Sequence, residues 1–169
     1  FMKTVFLISF LIFIKLLSMA QPSDAYTKML ARYYKNTVPF IYPDRLVEIM
    51  QSGKPYLLLD TREKDEYTVS KIGDSMYVGY EKFSLKSVKN EAKDTPVIVY
   101  CSIGARSEEI GEKLLQNGFT EVYNLYGGIF HWVSLGYPMF DDKGDTTQNI
   151  HPYNDEWGKW LEQGNKAYE

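Results

Sequence analysis

Val97-Ile98-Val99-Tyr100-Cys101-Ser102-Ile103-Gly104-Ala105-Arg106-Ser107 is the stretch on which the reading of this chain turns. Its first four residues form an unbroken apolar and aromatic run, which suits a strand covered on both faces. The run stops at a cysteine, passes a glycine and an arginine, and enters a segment of helical spacing. There Ile110, Leu114 and Leu115 share one face and Asn117-Gly118 closes the helix, predicted over about 107 to 116. The local prediction is strand, tight loop, helix.

Such a loop has a chemical use. Gly104 is free to take positive φ, so successive backbone N–H groups from Ser102 to Ser107 can turn toward one point, and the positive end of the following helix adds to the field. An anion on or beside the Cys101 sulfur is stabilised there, and the thiolate is the nucleophilic form of cysteine. Arg106 closes the loop with a permanent positive charge. The plainer reading is that Cys101 is a small buried hydrophobe and Gly104 an ordinary turn residue. The joint pattern of strand, Cys, Gly, Arg, Ser and helix favours the functional thiolate.

Outward from the loop, Tyr56 to Leu59 is a second apolar run, ending in Asp60, and Val122 to Leu125 is a third, following the helix. Met76 to Val78 supplies a further strand. Pro43 and Asp44 open another helix, whose Leu46, Val47, Ile49 and Met50 make an apolar face and whose end is marked by Gly53. Strands and helices alternate, which predicts an α/β domain with a central parallel sheet and helices on both faces. Ligands of such sheets lie at the C-terminal ends of the strands, where Asp60 and Cys101 stand.

The chain of 169 residues is 44% hydrophobic and 24% charged, the composition of one globular domain. A formal net charge of −3 with intermixed signs gives no basic stripe, so nucleic acid is not an expected partner. Lys3, the apolar stretch from Val5 to Ile14 and Ser18-Met19-Ala20 have the form of a secretory signal peptide over 1–20, cut after Ala20. Export, and no stable membrane insertion after cleavage, is the expectation. The alternative is an uncleaved membrane anchor, although Lys15 interrupts a run already short of the roughly 20 apolar residues that a span needs. Residues 21–41 read as an N-terminal extension with a short helix capped by Ser23 or Asp24 and running to about Tyr34. Residues 140–169 read as a polar loop and a final aromatic-rich helix laid against the domain. One cysteine excludes an intramolecular disulfide, and with only His131 and His151 no cluster has metal-ligand spacing, so neither metal nor cofactor is expected. His131 reads as structural or superficial rather than a base, and Trp132, Trp157 and Trp160 as packing residues rather than a ligand cage.

The Cys101 loop resembles the active-site loop of rhodanese domains, whose single-domain members often show Cys-x-x-Gly-x-Arg-Ser. Leu57-Leu58-Leu59-Asp60-Thr61-Arg62-Glu63 with Glu66-Tyr67 is similar to the family's Asp-x-Arg strand end and following helix. Ser70-Lys71-Ile72-Gly73-Asp74-Ser75 aligns with its Gly-His-Ile-Pro-Gly-Ala turn. Leu125-Tyr126-Gly127-Gly128-Ile129 through Trp132 and Gly136-Tyr137-Pro138 match its C-terminal signature. The resemblance covers residues 42–139. Lys71 stands in place of the usual histidine, and Gly73-Asp74-Ser75 in place of Pro-Gly-Ala, at positions that shape a turn.

The resemblance implies a rhodanese fold and a sulfurtransferase located, for a bacterial chain, in the periplasm. The Cys101 thiolate takes a sulfane sulfur from a small donor anion such as thiosulfate and holds it as a persulfide. A thiol or cyanide then accepts it, a thioredoxin-like protein being one candidate. Ser102, Ile103, Gly104, Ala105, Arg106 and Ser107 are the expected substrate-binding residues. Asp60 and Arg62 are expected to support the loop. Ser102 and Ile103 are uncharged, unlike the basic loop residues of some thiosulfate-using relatives. Two alternatives stand beside this. One is an exported binding or sulfur-relay module that docks a protein partner without turnover. The other is a phosphatase or arsenate reductase of the related cysteine-loop fold, but those resemble Cys-x5-Arg, and Cys101 to Arg106 encloses one residue fewer.

Overall fold

The computed structural model of the protein describes residues 22–168. The expected signal peptide at 1–20 lies outside them. In chain order the main elements are helix α1 (Asp24–Tyr33), strand β1 (Phe40–Ile41), α2 (Pro43–Gln51), β2 (Leu57–Asp60), α3 (Lys64–Val69), β3 (Met76–Tyr77), β4 (Val97–Tyr100), α4 (Ala105–Gln116), β5 (Val122–Leu125) and α5 (Gly128–Ser134). A 3₁₀ turn at Leu85–Val88 lies between β3 and β4. The five strands form one parallel sheet in the order β1-β5-β4-β2-β3.

Strand periodicity divides the core in two. From β4, Val97 and Val99 point to the face covered by Ile110 and Leu114 of α4 and by Val88 of the 3₁₀ turn. Ile98 and Tyr100 point to the opposite face, against Leu30 of α1, Leu46 of α2 and Ile129 and Phe130 of α5. Every residue of β4 is therefore buried, which is why its sequence does not alternate. This is the α/β architecture predicted, with the sheet centred on the strand that leads into Cys101.

Three details differ from the sequence-based expectation. Strand β1 lies within the stretch read as an N-terminal extension. Two residues long, it adds an edge to β5 through Phe40–Asn124 and Ile41–Leu125 pairing, too short a run to announce itself by period. Second, α1 belongs to the core: Tyr26, Met29 and Leu30 are buried, and Ser23 caps it by accepting the Tyr26 N–H at 3.2 Å. Third, the final helix expected after residue 140 is one turn, α6 (Asp155–Gly158), ended at Gly158. The segment is held instead by two small ladders. Strand β6 (Met139–Phe140) pairs antiparallel with β7 (Thr146–Thr147), and β8 (Asn149–Ile150) pairs parallel with β9 (Asn165–Lys166). Ile150 and Leu161 fasten it to the core. Pro152 and the positive φ at Tyr153 and Gly164 interrupt any longer helix.

Among the described residues no helix is long and apolar enough to cross a membrane. No group of three or more His, Cys, Asp or Glu side chains in them is placed to hold a metal ion.

Candidate active site

At the C-terminal edge of the sheet, β4 ends in Tyr100 and the chain turns sharply into α4. Gly104 makes that turn at φ +104°, and a Cβ there would stand 2.6 Å from the Tyr34 hydroxyl oxygen, so conformation and space both require glycine. The turn brings the Gly104 N–H to the Cys101 sulfur at 3.1 Å. The helix begins two residues earlier than its apolar spacing suggested. Its first closing bond runs from Glu108 N–H to the Gly104 carbonyl, so the N–H groups of Ala105, Arg106 and Ser107 have no acceptor within the helix. Cys101 is 1% exposed and lines a cavity of about 280 Å³. Ser102, Ile103, Ala105 and Arg106 line the same cavity.

The loop is gripped from three directions. The Tyr34 hydroxyl, which follows α1, donates to the Ile103 carbonyl at 2.6 Å and accepts the Gly127 N–H at 2.8 Å. Burial pushes the Tyr34 phenol well above its ordinary value, so it remains a neutral donor. From the other side, Ile129 and Phe130 at the start of α5 donate their N–H groups to the carbonyls of Cys101 (2.9 Å) and Ser102 (3.1 Å). That approach explains the double glycine: a Cβ on Gly128 would lie 2.4 Å from the Cys101 carbonyl oxygen. Behind the loop, Asn124 of β5 accepts the Ser107 hydroxyl (2.7 Å) and donates to the Gly104 carbonyl (2.8 Å). The Ser107 side chain thus faces the sheet and not the cavity.

The charge of Arg106 is not free. Its Nη1 and Nη2 donate to the two Glu66 carboxylate oxygens, both at 2.8 Å, and Nη2 also donates to the Ser102 hydroxyl at 2.9 Å. Ser102 in turn donates to Glu66 at 2.8 Å. Burial by itself would raise the Glu66 pKa, but the Arg106 guanidinium outweighs it and holds the carboxyl below its ordinary 4.5. Burial likewise disfavours the charged Arg106, and Glu66 together with the nearby Cys101 raises its pKa nonetheless. The Tyr153 ring lies 4.8 Å from the guanidinium carbon.

Glu66 is the residue that reading the sequence overlooked. It was visible only as part of a motif on α3, 40 positions before Arg106, and its partner becomes evident only when β2 and β4 are side by side. Trp157 was read as packing; it does stack edge-on against Tyr33, with centroids 5.0 Å apart, but the pair also walls the cavity, with Tyr80 and Tyr153. Trp132 is a packing residue, buried, its indole N–H bonded to the Pro138 carbonyl at 2.9 Å. His131 is buried, contacts the Ser134 hydroxyl at 3.2 Å, and burial holds its pKa below the ordinary value; it does not line the Cys101 cavity.

Asp60 and Arg62 are placed beside the loop but turned inward. The Arg62 guanidinium meets the Asp60 carboxylate through Nε at 3.0 Å and Nη2 at 2.6 Å, with both side chains fully buried. Asp60 also accepts the Arg62 backbone N–H at 2.9 Å. Nη2 further donates to the Ser70 carbonyl. Burial lowers the Arg62 pKa, but Asp60 overcompensates and the net shift is upward. Nη1 has no hydrogen-bond partner among the described residues. The Tyr100 ring is 5.7 Å from the guanidinium carbon. Between them in sequence, Thr61 donates its N–H to the Tyr100 carbonyl at 2.9 Å.

Comparison with known proteins agrees with this geometry. Residues 42–135 match the rhodanese-like domain family. A thiosulfate sulfurtransferase GlpE of Coxiella burnetii is 34% identical over 76 residues, spanning 45% of this chain and 70% of that protein. A sulfurtransferase of Allochromatium vinosum is 33% identical over 101 residues, 60% of this chain and 94% of that one. Among solved structures, a thiosulfate sulfurtransferase from Pseudomonas aeruginosa superposes with a TM-score of 0.59 at 24% identity, covering 74% of this chain and 23% of that chain, a likeness of fold.

Proposed function

The chain belongs to the rhodanese-like domain family, and from that premise we propose that it is a sulfurtransferase working through a Cys101 persulfide. The observation that carries the reading is the placement of Cys101 before the N-terminus of α4 and in the wall of a cavity, its sulfur accepting the Gly104 N–H at 3.1 Å. Backbone N–H groups and the helix end favour negative charge where it develops.

The chemistry is two displacements. The Cys101 thiolate attacks the outer sulfur of a sulfane donor. A new S–S bond forms, the donor's own bond to that sulfur breaks, and the remainder leaves with the electron pair; from thiosulfate this is sulfite. An acceptor thiolate or cyanide then attacks the outer sulfur of the persulfide, and the pair returns to Cys101. No electron is gained or lost overall.

Glu66 does not act as the base in this scheme: it is the ionised partner that fixes Arg106 and Ser102 beside the sulfur. The Cys-x4-Arg spacing weighs against phosphate chemistry, because the loop is one residue shorter than the Cys-x5-Arg cradle for a tetrahedral oxyanion.

The test is the intact mass of the protein from Gln21 onward after incubation with thiosulfate, beside Cys101→Ser. A gain of one sulfur atom only when Cys101 is present, removed by cyanide as thiocyanate, supports the proposal. A folded, reduced protein that is never loaded by any sulfane donor would sink it.

A further inference from the structure

We infer that the cavity at Cys101 is a binding subsite for an apolar or aromatic organic group, so that the preferred sulfur donor is an organic sulfane compound rather than an inorganic dianion. The inference rests on the proposed persulfide chemistry and names the substrate class of that site.

Three observations on the cavity's walls carry it. First, Tyr33, Tyr80, Tyr153 and Trp157 line the same cavity as Cys101, together with Ile103 and Ala105. Tyr33 and Tyr153 are 48% and 46% exposed. Large aromatic faces left open to water at the mouth of a concave site are what an apolar ligand covers.

Second, among the described residues the only charged one in that lining is Arg106. Its guanidinium is bidentate to Glu66, bonded to Ser102 and stacked on Tyr153. An entering dianion meets a cation already neutralised by a carboxylate, and gives up its hydration without a free countercharge. An organic donor carries less charge per buried atom and exchanges water for aromatic contact.

Third, size permits it: the cavity of about 280 Å³ has room for a single aromatic ring as well as the thiosulfonate group that reacts. Three of the four aromatic walls, Tyr33 from α1 and Tyr153 and Trp157 from the segment around α6, come from outside the residues 42–135 that match the family.

The transfer balances as before. Cys101 thiolate attacks the terminal sulfur of R–SO₂–S⁻, the S–S bond to the sulfonyl sulfur breaks, and the sulfinate R–SO₂⁻ leaves with its electron pair while R sits among the aromatic walls.

The experiment compares benzenethiosulfonate with methanethiosulfonate, which share the reacting atoms and differ only in R, with thiosulfate alongside. The full chain is used, and formation of thiocyanate with cyanide as acceptor is followed. The expected result is a kcat/KM for the aryl donor on the order of tenfold or more above the methyl donor. Tyr33→Ala and Tyr153→Ala, exposed positions whose loss leaves the core intact, should each shrink that ratio. An aryl-to-methyl ratio near one, or a ratio untouched by both substitutions, overturns the subsite while leaving the persulfide reading in place. Failure of all three donors to load Cys101, read by intact mass, removes the underlying reading and the inference with it.

Discussion

Two neighbouring strands end in polar residues at the same edge of the sheet, and they do opposite things. Strand β2 ends in Asp60, whose carboxylate is consumed by Arg62 in a pair that water does not reach. Strand β4 runs into Cys101, whose sulfur accepts the Gly104 N–H and which lines a cavity. The strands pair residue for residue, Asp60 opposite Tyr100, so position on the sheet does not separate the two roles. What separates them is the residue that follows. Arg62 folds back on Asp60, whereas Gly104 bends the chain away from Cys101 and opens α4 above it. A polar strand end is thus either a closed internal contact or an open reactive one, depending on whether the next turn returns its charge.

The comparison makes quantitative demands. The largest effect on stability is expected from Arg62→Ala, which leaves the Asp60 carboxylate buried and unpaired; roughly 3–5 kcal/mol should be lost, measured by urea unfolding. If this variant unfolds like the wild type but is no longer loaded with sulfur, the division between the two strand ends is wrong. Gly128→Ala drives a Cβ into the Cys101 carbonyl at a backbone φ of +56°, and a loss of about 1–3 kcal/mol from strain is expected, with slower persulfide formation because the loop must move.

Glu66→Gln should lose about 2 kcal/mol, in the range for hydrogen bonds to charged groups. That loss carries a pH signature. The folded Glu66 carboxyl lies below its ordinary 4.5, so its contribution is present above the unfolded value and fades as pH falls through the lower folded one. The gap between wild type and Glu66→Gln should therefore be full at pH 7 and narrow in acid; a gap independent of pH would contradict an ionised Glu66. The smallest effect on stability belongs to Cys101→Ser, within about 1 kcal/mol, because the exchange keeps shape and a hydrogen-bonding group, while loading with sulfur is abolished outright.

Much of this was legible in the chain itself, for a physical reason: a strand buried on both faces must be continuously apolar. Leu57 to Leu59, Val97 to Val99 and the Val122 run therefore marked the sheet's centre, and Gly104 marked the turn that opens the following helix. Strand β1 was not legible, since Phe40 and Ile41 owe their pairing to β5 and not to a period of their own. The end of the chain was misread because its tryptophans and tyrosines suit a helix as well as they suit a rim, and Pro152 and Gly158 settle the matter only locally. Glu66 shows the deeper limit. Its partner is fixed by tertiary contact, and nothing in the neighbourhood of Asp65 to Tyr67 tells an ionised site residue from an ordinary capping glutamate.

The depth of Cys101 has a consequence in time rather than in space. In its resting state Cys101 is 1% exposed, so the cavity it lines is the route by which a reactant approaches. On the proposed cycle, loading would add a sulfur about 2.05 Å further out, and the charged atom would then stand nearer an arriving acceptor than the resting thiol does. An acceptor colliding at random would discriminate cargo from no cargo without any moving part.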